Sequence, residues 1–193
     1  MTSTALLTDH YELTMVQAAL RSGAAHRRSV FELFARKLPE GRRYGVVAGT
    51  GRFLEALVDF TFGEAELDHL RTHRVVDEPT LEWLAGYRFS GDVHGYPEGE
   101  LYFGHSPLMV VESTFAEGVL LETLALSMLN HDSAVASAAS RMTAVAGDRP
   151  CIEMGSRRTA EGSAVAAARA AYVAGFASTS NLEAGRRRGV PTA

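Results

Sequence analysis

The chain has 193 residues, a formal net charge of -4, 46% hydrophobic residues and a single cysteine. That length can bury a real core, as one large domain or as a domain and part of another, while the acidic balance excludes a general nucleic-acid or membrane-surface binder, which needs a basic field. Cys151 alone excludes an internal disulfide, no charged segment followed by an apolar one precedes the first helical pattern, and no apolar run approaches the roughly 20 residues of a membrane span; a reduced, cytoplasmic protein is expected.

In chain order, TDHYELTMVQAALRSG reads as an amphipathic helix, with Thr8 as its N-cap, Leu13, Val16, Ala19 and Leu20 on one face and Gly23 as its stop. Ser29–Arg36 is apolar on both alternating faces apart from Glu32, which predicts a strand in a largely covered sheet. YGVVAGTGRFLEALVDF follows as a short strand, a glycine-containing turn and a helix over about 52–59. Further helices fit GEAELDHLRTH and PTLEWLAG, the latter with Pro79 near its first turn. Between Gly91 and Ser113, three strand-like runs separated by Pro-Glu-Gly and His-Ser-Pro predict a small antiparallel sheet.

The longest helical tract runs from Ala116 to Ala146, with an expected break near Asn130–Ser133 and small residues through ASAAS that suit close packing. After Pro150 the pattern becomes strand (CIEM), helix (about 160–174), helix (about 181–187) and the start of a strand in GVPTA. That is βα alternation, the pattern of a parallel barrel or doubly wound sheet. One strand, one helix and a second strand cannot close either, so a fragment is expected.

Four groups of residues invite a chemical reading. Arg157 and Arg158, in EMGSRRT, lie where a parallel strand ends and its loop begins. There they either clamp a phosphate or pyrophosphate or pair on the surface with Glu153 or Glu161. Tyr11, beside Asp9, His10 and Glu12, reads as half-buried packing. NHDS (130–133) offers no second ligand cluster, which excludes zinc and leaves helix capping. GFASTSN places Ser178 and Ser180 at a helix start, either as ordinary caps or as donors to a carboxylate or phosphate. The chain has no Walker A, GxGxxG or GxSxG pattern.

Taken together and in order, TDHYELTM, FELFARKLPEGRRYGVVAGTGRFLEAL, YPEGELYFGHSPLMVVEST followed by ETLALSMLN, EMGSRRT, and GFASTSNLEAGRRRGVPTA resemble nicotinate phosphoribosyltransferase over nearly the whole chain. The resemblance implies an α/β (α+β) protein. An N-terminal α/β sandwich domain would span 1–118, connecting helices 119–147, and the first βα units of an incomplete irregular α/β barrel 148–193. It implies transfer of nicotinate to 5-phosphoribosyl diphosphate, giving nicotinate mononucleotide and pyrophosphate, with ATP hydrolysis coupled through a phosphohistidine and Mg²⁺ engaged with the diphosphate. It also implies a homodimer with a shared active site, acting in NAD salvage.

By the same resemblance Tyr11 stacks on the nicotinate ring, commonly from the partner subunit. Arg157 meets nicotinate and the phosphoribosyl group, with Arg158 as its basic neighbour. Met154 stands where the family often has an aromatic ring. Ser178 and Ser180 fall where nicotinamide-using relatives present an acid. Hydroxyls there favour the acid substrate over the amide, because a carboxylate would repel nicotinate. The phosphohistidine segment, Gly-Thr-x-Ala-His, and the magnesium ligands are expected beyond Ala193, so a chain ending there is expected to be inactive. The competing readings are a nicotinamide or quinolinate phosphoribosyltransferase and a non-catalytic ligand-binding or dimerisation fragment.

Overall fold

The computed structural model describes residues 3–193. Its elements are α1 (His10–Ser22), β1 (Arg28–Phe34), β2 (Gly45–Val46), α2 (Thr50–Val58), α3 (Glu64–Thr72), α4 (Glu78–Ala85), β3 (Asp92–Gly95), β4 (Leu101–Tyr102), β5 (Pro107–Thr114), α5 (Phe115–Leu120), α6 (Glu122–Ala146), β6 (Ile152–Glu153), a 3-10 turn (Gly155–Arg157), α7 (Glu161–Val173), β7 (Ser178–Thr179) and α8 (Leu182–Arg188). This is the mixed α/β class expected from the sequence. The elements form two compact units, one from residues up to Leu33 with Arg52–Gly95 and Met109–Ser127, the other from Phe34–Gly51, Tyr96–Leu108 and Met128–Ala193.

In the first unit, Asp9 rather than Thr8 caps α1: Glu12 reaches back to accept from the Asp9 N–H at 3.1 Å. The helix ends at Gly23 in the left-handed region. Its inward face, Leu13, Val16 and Ala19, packs with α5, whose Ala116, Val119 and Leu120 are buried. A capping box starts α5, with Thr114 Oγ1 accepting from the Glu117 N–H and Glu117 accepting in return from Thr114. A second apolar cluster stacks Phe60, Phe62 and Tyr87 edge to face, with ring centroids 5.8–6.0 Å apart.

The strand expectations need two corrections. β5 is the centre of a three-stranded sheet in the order β1-β5-β3, with β3 antiparallel to it from Asp92↔Glu112 to Gly95↔Met109. β4 leaves that sheet and pairs with β2, so the three runs between Gly91 and Ser113 do not make one sheet. β1 is not a covered strand: it lies at a sheet edge and buries none of its residues, with Val30 58% exposed. Apolar residues on both faces had suggested cover that an edge position does not supply.

The helical tract is also cut elsewhere than expected. It breaks at Leu121, whose N–H turns back to Gly118, and runs unbroken through Asn130–Ser133 as part of α6. Asn130, Asp132 and Ser133 are therefore not junction caps; Ser133 and, one turn on, Ser137 serve another segment instead. Within the second unit they face Val46 and Ala48: Ser137 Oγ accepts from the Val46 N–H at 2.8 Å, while Ser133 Oγ accepts from the Ala48 N–H and donates to its carbonyl, both at 3.1 Å. Arg141, one turn further on, donates to the Tyr44 carbonyl at 2.6 Å and lies 4.4 Å over the Tyr44 ring. Ala136, with Ala170 of α7, completes an apolar cluster around Val46 and Ala48. β2 accepts this closeness because Gly45 lies against the Tyr102 ring, in space that any Cβ would invade.

The βα alternation after Pro150 is realised as parallel pairing. β6 and β7 run parallel, Ile152↔Ser178 and Glu153↔Thr179, and Thr179 pairs in parallel with Thr192. α7 and α8 connect these strands and pack together through Val165, Ala168 and Ala184.

Candidate substrate-binding site

Parallel strands with helical crossovers place their carboxyl ends together, and ligands of such folds bind at that edge. Here the edge is formed by the residues following β6 and β7. The chain leaves β6 at Glu153, passes the exposed Met154 and tightens into the 3-10 turn Gly155–Arg157, closed by the Arg158 N–H donating to the Gly155 carbonyl at 2.8 Å.

Arg157 and Arg158 are both exposed. Among the described residues no ion pair joins either of them to an acid. Glu153 is committed elsewhere: one carboxylate oxygen accepts from the Gly155 N–H and the other from the Thr179 hydroxyl at 2.6 Å. The surface pairing with Glu153 is thereby excluded, and two guanidinium groups stand uncompensated at a strand end.

The serines sit on the adjacent strand. Ser178 opens β7, Ser180 follows it, and both are half-buried. The Ser180 N–H donates to the Glu153 carbonyl at 2.9 Å, extending the β6–β7 pairing by one residue. Neither serine caps α8. That role belongs to Asn181, whose side-chain oxygen accepts from the Ala184 N–H at 2.9 Å. Capping by Ser178 or Ser180 is thus corrected. The structure brings Arg157, Arg158 and Ser180 to the carboxyl edge of the β6–β7 pair, whereas Ser178, opposite Ile152, sits at the opening of the pair.

Tyr11 belongs to the first unit. It is 46% exposed rather than packed, on the helix face opposite Leu13 and Val16. Its hydroxyl lies 3.4 Å from Glu122 Oε1, and partial desolvation together with Glu122, Glu12 and Asp9 pushes the phenol above its ordinary pKa. Its neighbour Glu12 is fully buried and accepts from the Thr123 N–H at 3.0 Å and hydroxyl at 2.7 Å, and from the Thr8 hydroxyl. Burial raises the Glu12 pKa against the pull of those donors.

Sequence reasoning missed three side chains that shape the arginine turn: Glu153 was weighed only as an ion-pair partner, and Thr179 and Asn181 were not singled out. It also missed Glu98, which receives both Arg169 nitrogens at 2.8 and 2.6 Å and the Gly49 N–H at 2.6 Å. Burial alone would raise the Glu98 pKa, but Arg169 and the loop amides hold it below the usual carboxylate range. This pair spans 71 positions, and no local pattern announces it. Among the described residues no three His, Cys, Asp or Glu side chains group as a metal site, and no helix is long and apolar enough to cross a membrane.

A family model described as the nicotinate phosphoribosyltransferase (NAPRTase) N-terminal domain matches residues 6–130. The chain belongs to the nicotinate phosphoribosyltransferase family. Among its curated relatives, nicotinate phosphoribosyltransferase pncB1 of Mycobacterium tuberculosis is 62% identical over 186 residues, 96% of this chain and 41% of the relative. The nicotinate phosphoribosyltransferase of Bacillus subtilis is 37% identical over 190 residues, 98% of this chain and 39% of the relative. The crystal structure of human nicotinic acid phosphoribosyltransferase superposes with a TM-score of 0.88 at 34% identity, covering 96% of this chain and 38% of the human one. A nicotinate-nucleotide pyrophosphorylase from Pyrococcus furiosus shares the fold at 21% identity and a TM-score of 0.76, over 97% of this chain and 41% of that one. The chain thus spans about two fifths of the length of these relatives. Both Tyr11 and the arginine turn fall inside the 96% of the chain matched by the mycobacterial protein.

Proposed function

We propose that this chain supplies the base- and phosphoribosyl-binding edge of a nicotinate phosphoribosyltransferase that makes nicotinate mononucleotide and pyrophosphate for NAD salvage. The observation that carries the reading is the pair Arg157 and Arg158, exposed and without an acidic partner among the described residues at the carboxyl end of a parallel strand. Cations held there stabilise the charge that develops as pyrophosphate departs. The nicotinate ring nitrogen attacks the anomeric carbon as the carbon–oxygen bond to pyrophosphate breaks. The nitrogen is already nucleophilic, so the residues of this edge need only bind, orient and compensate charge. Ser178 and Ser180 would donate to the nicotinate carboxylate. Tyr11 would stack on the ring across a homodimer interface, from the partner subunit of a cytoplasmic enzyme. Residues 148–193 would form the opening of its barrel, after an N-terminal sandwich domain over 1–118.

Mg²⁺ and ATP belong to the same reading through family membership. Among the described residues no three His, Cys, Asp or Glu side chains group where a metal could sit, so the residues of this edge bind and orient substrate by hydrogen bonds and arginine charge. The test is an assay of the complete enzyme with nicotinate, nicotinamide and quinolinate. Preferred turnover of nicotinate is expected, and preference for nicotinamide or quinolinate would reassign the substrate. Arg157→Ala is expected to lower kcat/KM by about a hundredfold, the scale of losing one preorganised donor to developing charge.

A further inference from the structure

The arginine turn is held by a chain of hydrogen bonds that starts at the Gly155 amide and ends on the Ser156 hydroxyl, so that the peptide between these two neighbours closes it into a ring. Glu153 accepts from the Gly155 N–H with one oxygen and from the Thr179 hydroxyl with the other. Thr179 Oγ1 in turn accepts from the Asn181 N–H at 3.0 Å. Asn181 Nδ2 then donates to Ser156 Oγ at 3.0 Å. Gly155 and Ser156, the two residues before Arg157, are therefore each gripped from outside the turn.

The grip is anchored in a rigid place. Thr179 is fully buried, its N–H donates to the Pro191 carbonyl at 2.9 Å, and its carbonyl accepts from the Ala193 N–H at 3.1 Å. Asn181 is fixed a second time as the cap of α8. Gly155 leaves room for the close approach: a Cβ there would stand 2.8 Å from Glu153 Oε1 and push the carboxylate aside.

A carboxylate beside two cations that bind an anion is electrostatically counterproductive, because its charge opposes the ligand's. Glu153 spends that charge on the Gly155 amide and the Thr179 hydroxyl, bonds that a charged acceptor makes stronger than a neutral one does. We propose that Glu153, Thr179 and Asn181 are positioning residues, a hydrogen-bonded ring that aims Arg157 at its anion without touching it. The proposal rests on Arg157 and Arg158 being anion-binding residues, as read above, and it predicts a sign that simple electrostatics reverses.

The probe is inorganic pyrophosphate, titrated into this chain and into the complete enzyme, with hydrogen exchange of the Gly155 and Arg158 amides followed in parallel. Glu153→Gln is expected to weaken pyrophosphate binding about tenfold and to speed exchange at both amides by a similar factor, the scale of one lost charge-assisted bond. Thr179→Val should act likewise, and Thr179→Ser, which keeps the hydroxyl, should restore both readouts. Tighter pyrophosphate binding by Glu153→Gln would show the carboxylate to be only a repulsive charge and would overturn the ring. Unchanged exchange in Glu153→Gln and Thr179→Val would overturn it as well. If the unsubstituted protein fails to bind pyrophosphate while the exchange effects appear, the ring stands and the anion-binding reading of the arginines fails.

Discussion

Adjacent residues of α1 carry opposite burdens. Glu12 is fully buried and receives donors from Asp9, Thr123 and Thr8, whereas Tyr11 keeps 46% of its surface in solvent. Glu12→Ala strands those donors and is expected to cost about 3 kcal/mol, the upper range for hydrogen bonds to a buried charged group. Tyr11→Ala opens no cavity and is expected to cost less than about 1 kcal/mol. Denaturant melts of the two variants separate these outcomes, and equal destabilisation would put Tyr11 in the core. In the complete enzyme Tyr11→Ala is expected to raise the KM for nicotinate with the melting temperature preserved, and an unchanged KM would make Tyr11 a surface residue only. Tyr11 shows what sequence alone resolves at this scale. Its neighbours gave no reason to expect exposure, because a tyrosine in an amphipathic helix packs more often than not.

At the scale of elements, α6 meets β2 through Ser133, Ser137 and Arg141, spaced four apart along one helix face. The first two serve backbone groups of Val46 and Ala48 that are themselves buried. Replacing either serine by alanine leaves a buried amide unpaired, expected to cost about 1–3 kcal/mol. Ser140→Ala is the control, since Ser140 donates only to the Ser137 carbonyl of its own helix, and its melting temperature should stay within experimental scatter of the parent. A null result for Ser133→Ala would mean that water replaces the hydroxyl. The small-residue stretch was legible as a close-packing face, and helices with strong periodicity, α1, α4 and α7, were legible nearly to their ends. Partner choice was not. Nothing near Leu101 or Tyr102 says that β4 pairs with Gly45 and Val46 rather than with β3, because pairing is decided by residues far apart in sequence. The candidate site divides the same way: Arg157 and Arg158 were legible from their place after an apolar strand, whereas Glu153, Thr179 and Asn181 join only through β6–β7 pairing.

Across the whole molecule, three buried or half-buried carboxylates carry opposing pKa shifts, beside the exposed Asp77 and Glu183, which Thr80 and Arg186 respectively hold low. Burial pushes Glu98 and Glu117 upward, but Arg169 and the loop amides for Glu98, and Thr114 and Ser90 for Glu117, outweigh it and leave both below the ordinary value of 4.5. A depressed folded pKa contributes stability above the unfolded value, and that contribution is lost as pH falls through the folded one. Glu12 has the opposite sign. Its raised pKa contributes most below 4.5 and is given up as pH rises through its folded value. Among these three, acidification therefore removes two contributions and restores one, so the melting temperature is expected to fall between about pH 5 and pH 3. Glu98→Gln should start lower at neutral pH and fall less steeply, having no depressed carboxylate to protonate. Glu12→Gln should fall more steeply, because the opposing contribution is gone. Glu98 lies in the second unit and Glu12 and Glu117 in the first. An acid slope in Glu98→Gln equal to that of the parent would remove the Glu98–Arg169 pair as a cause of the pH dependence.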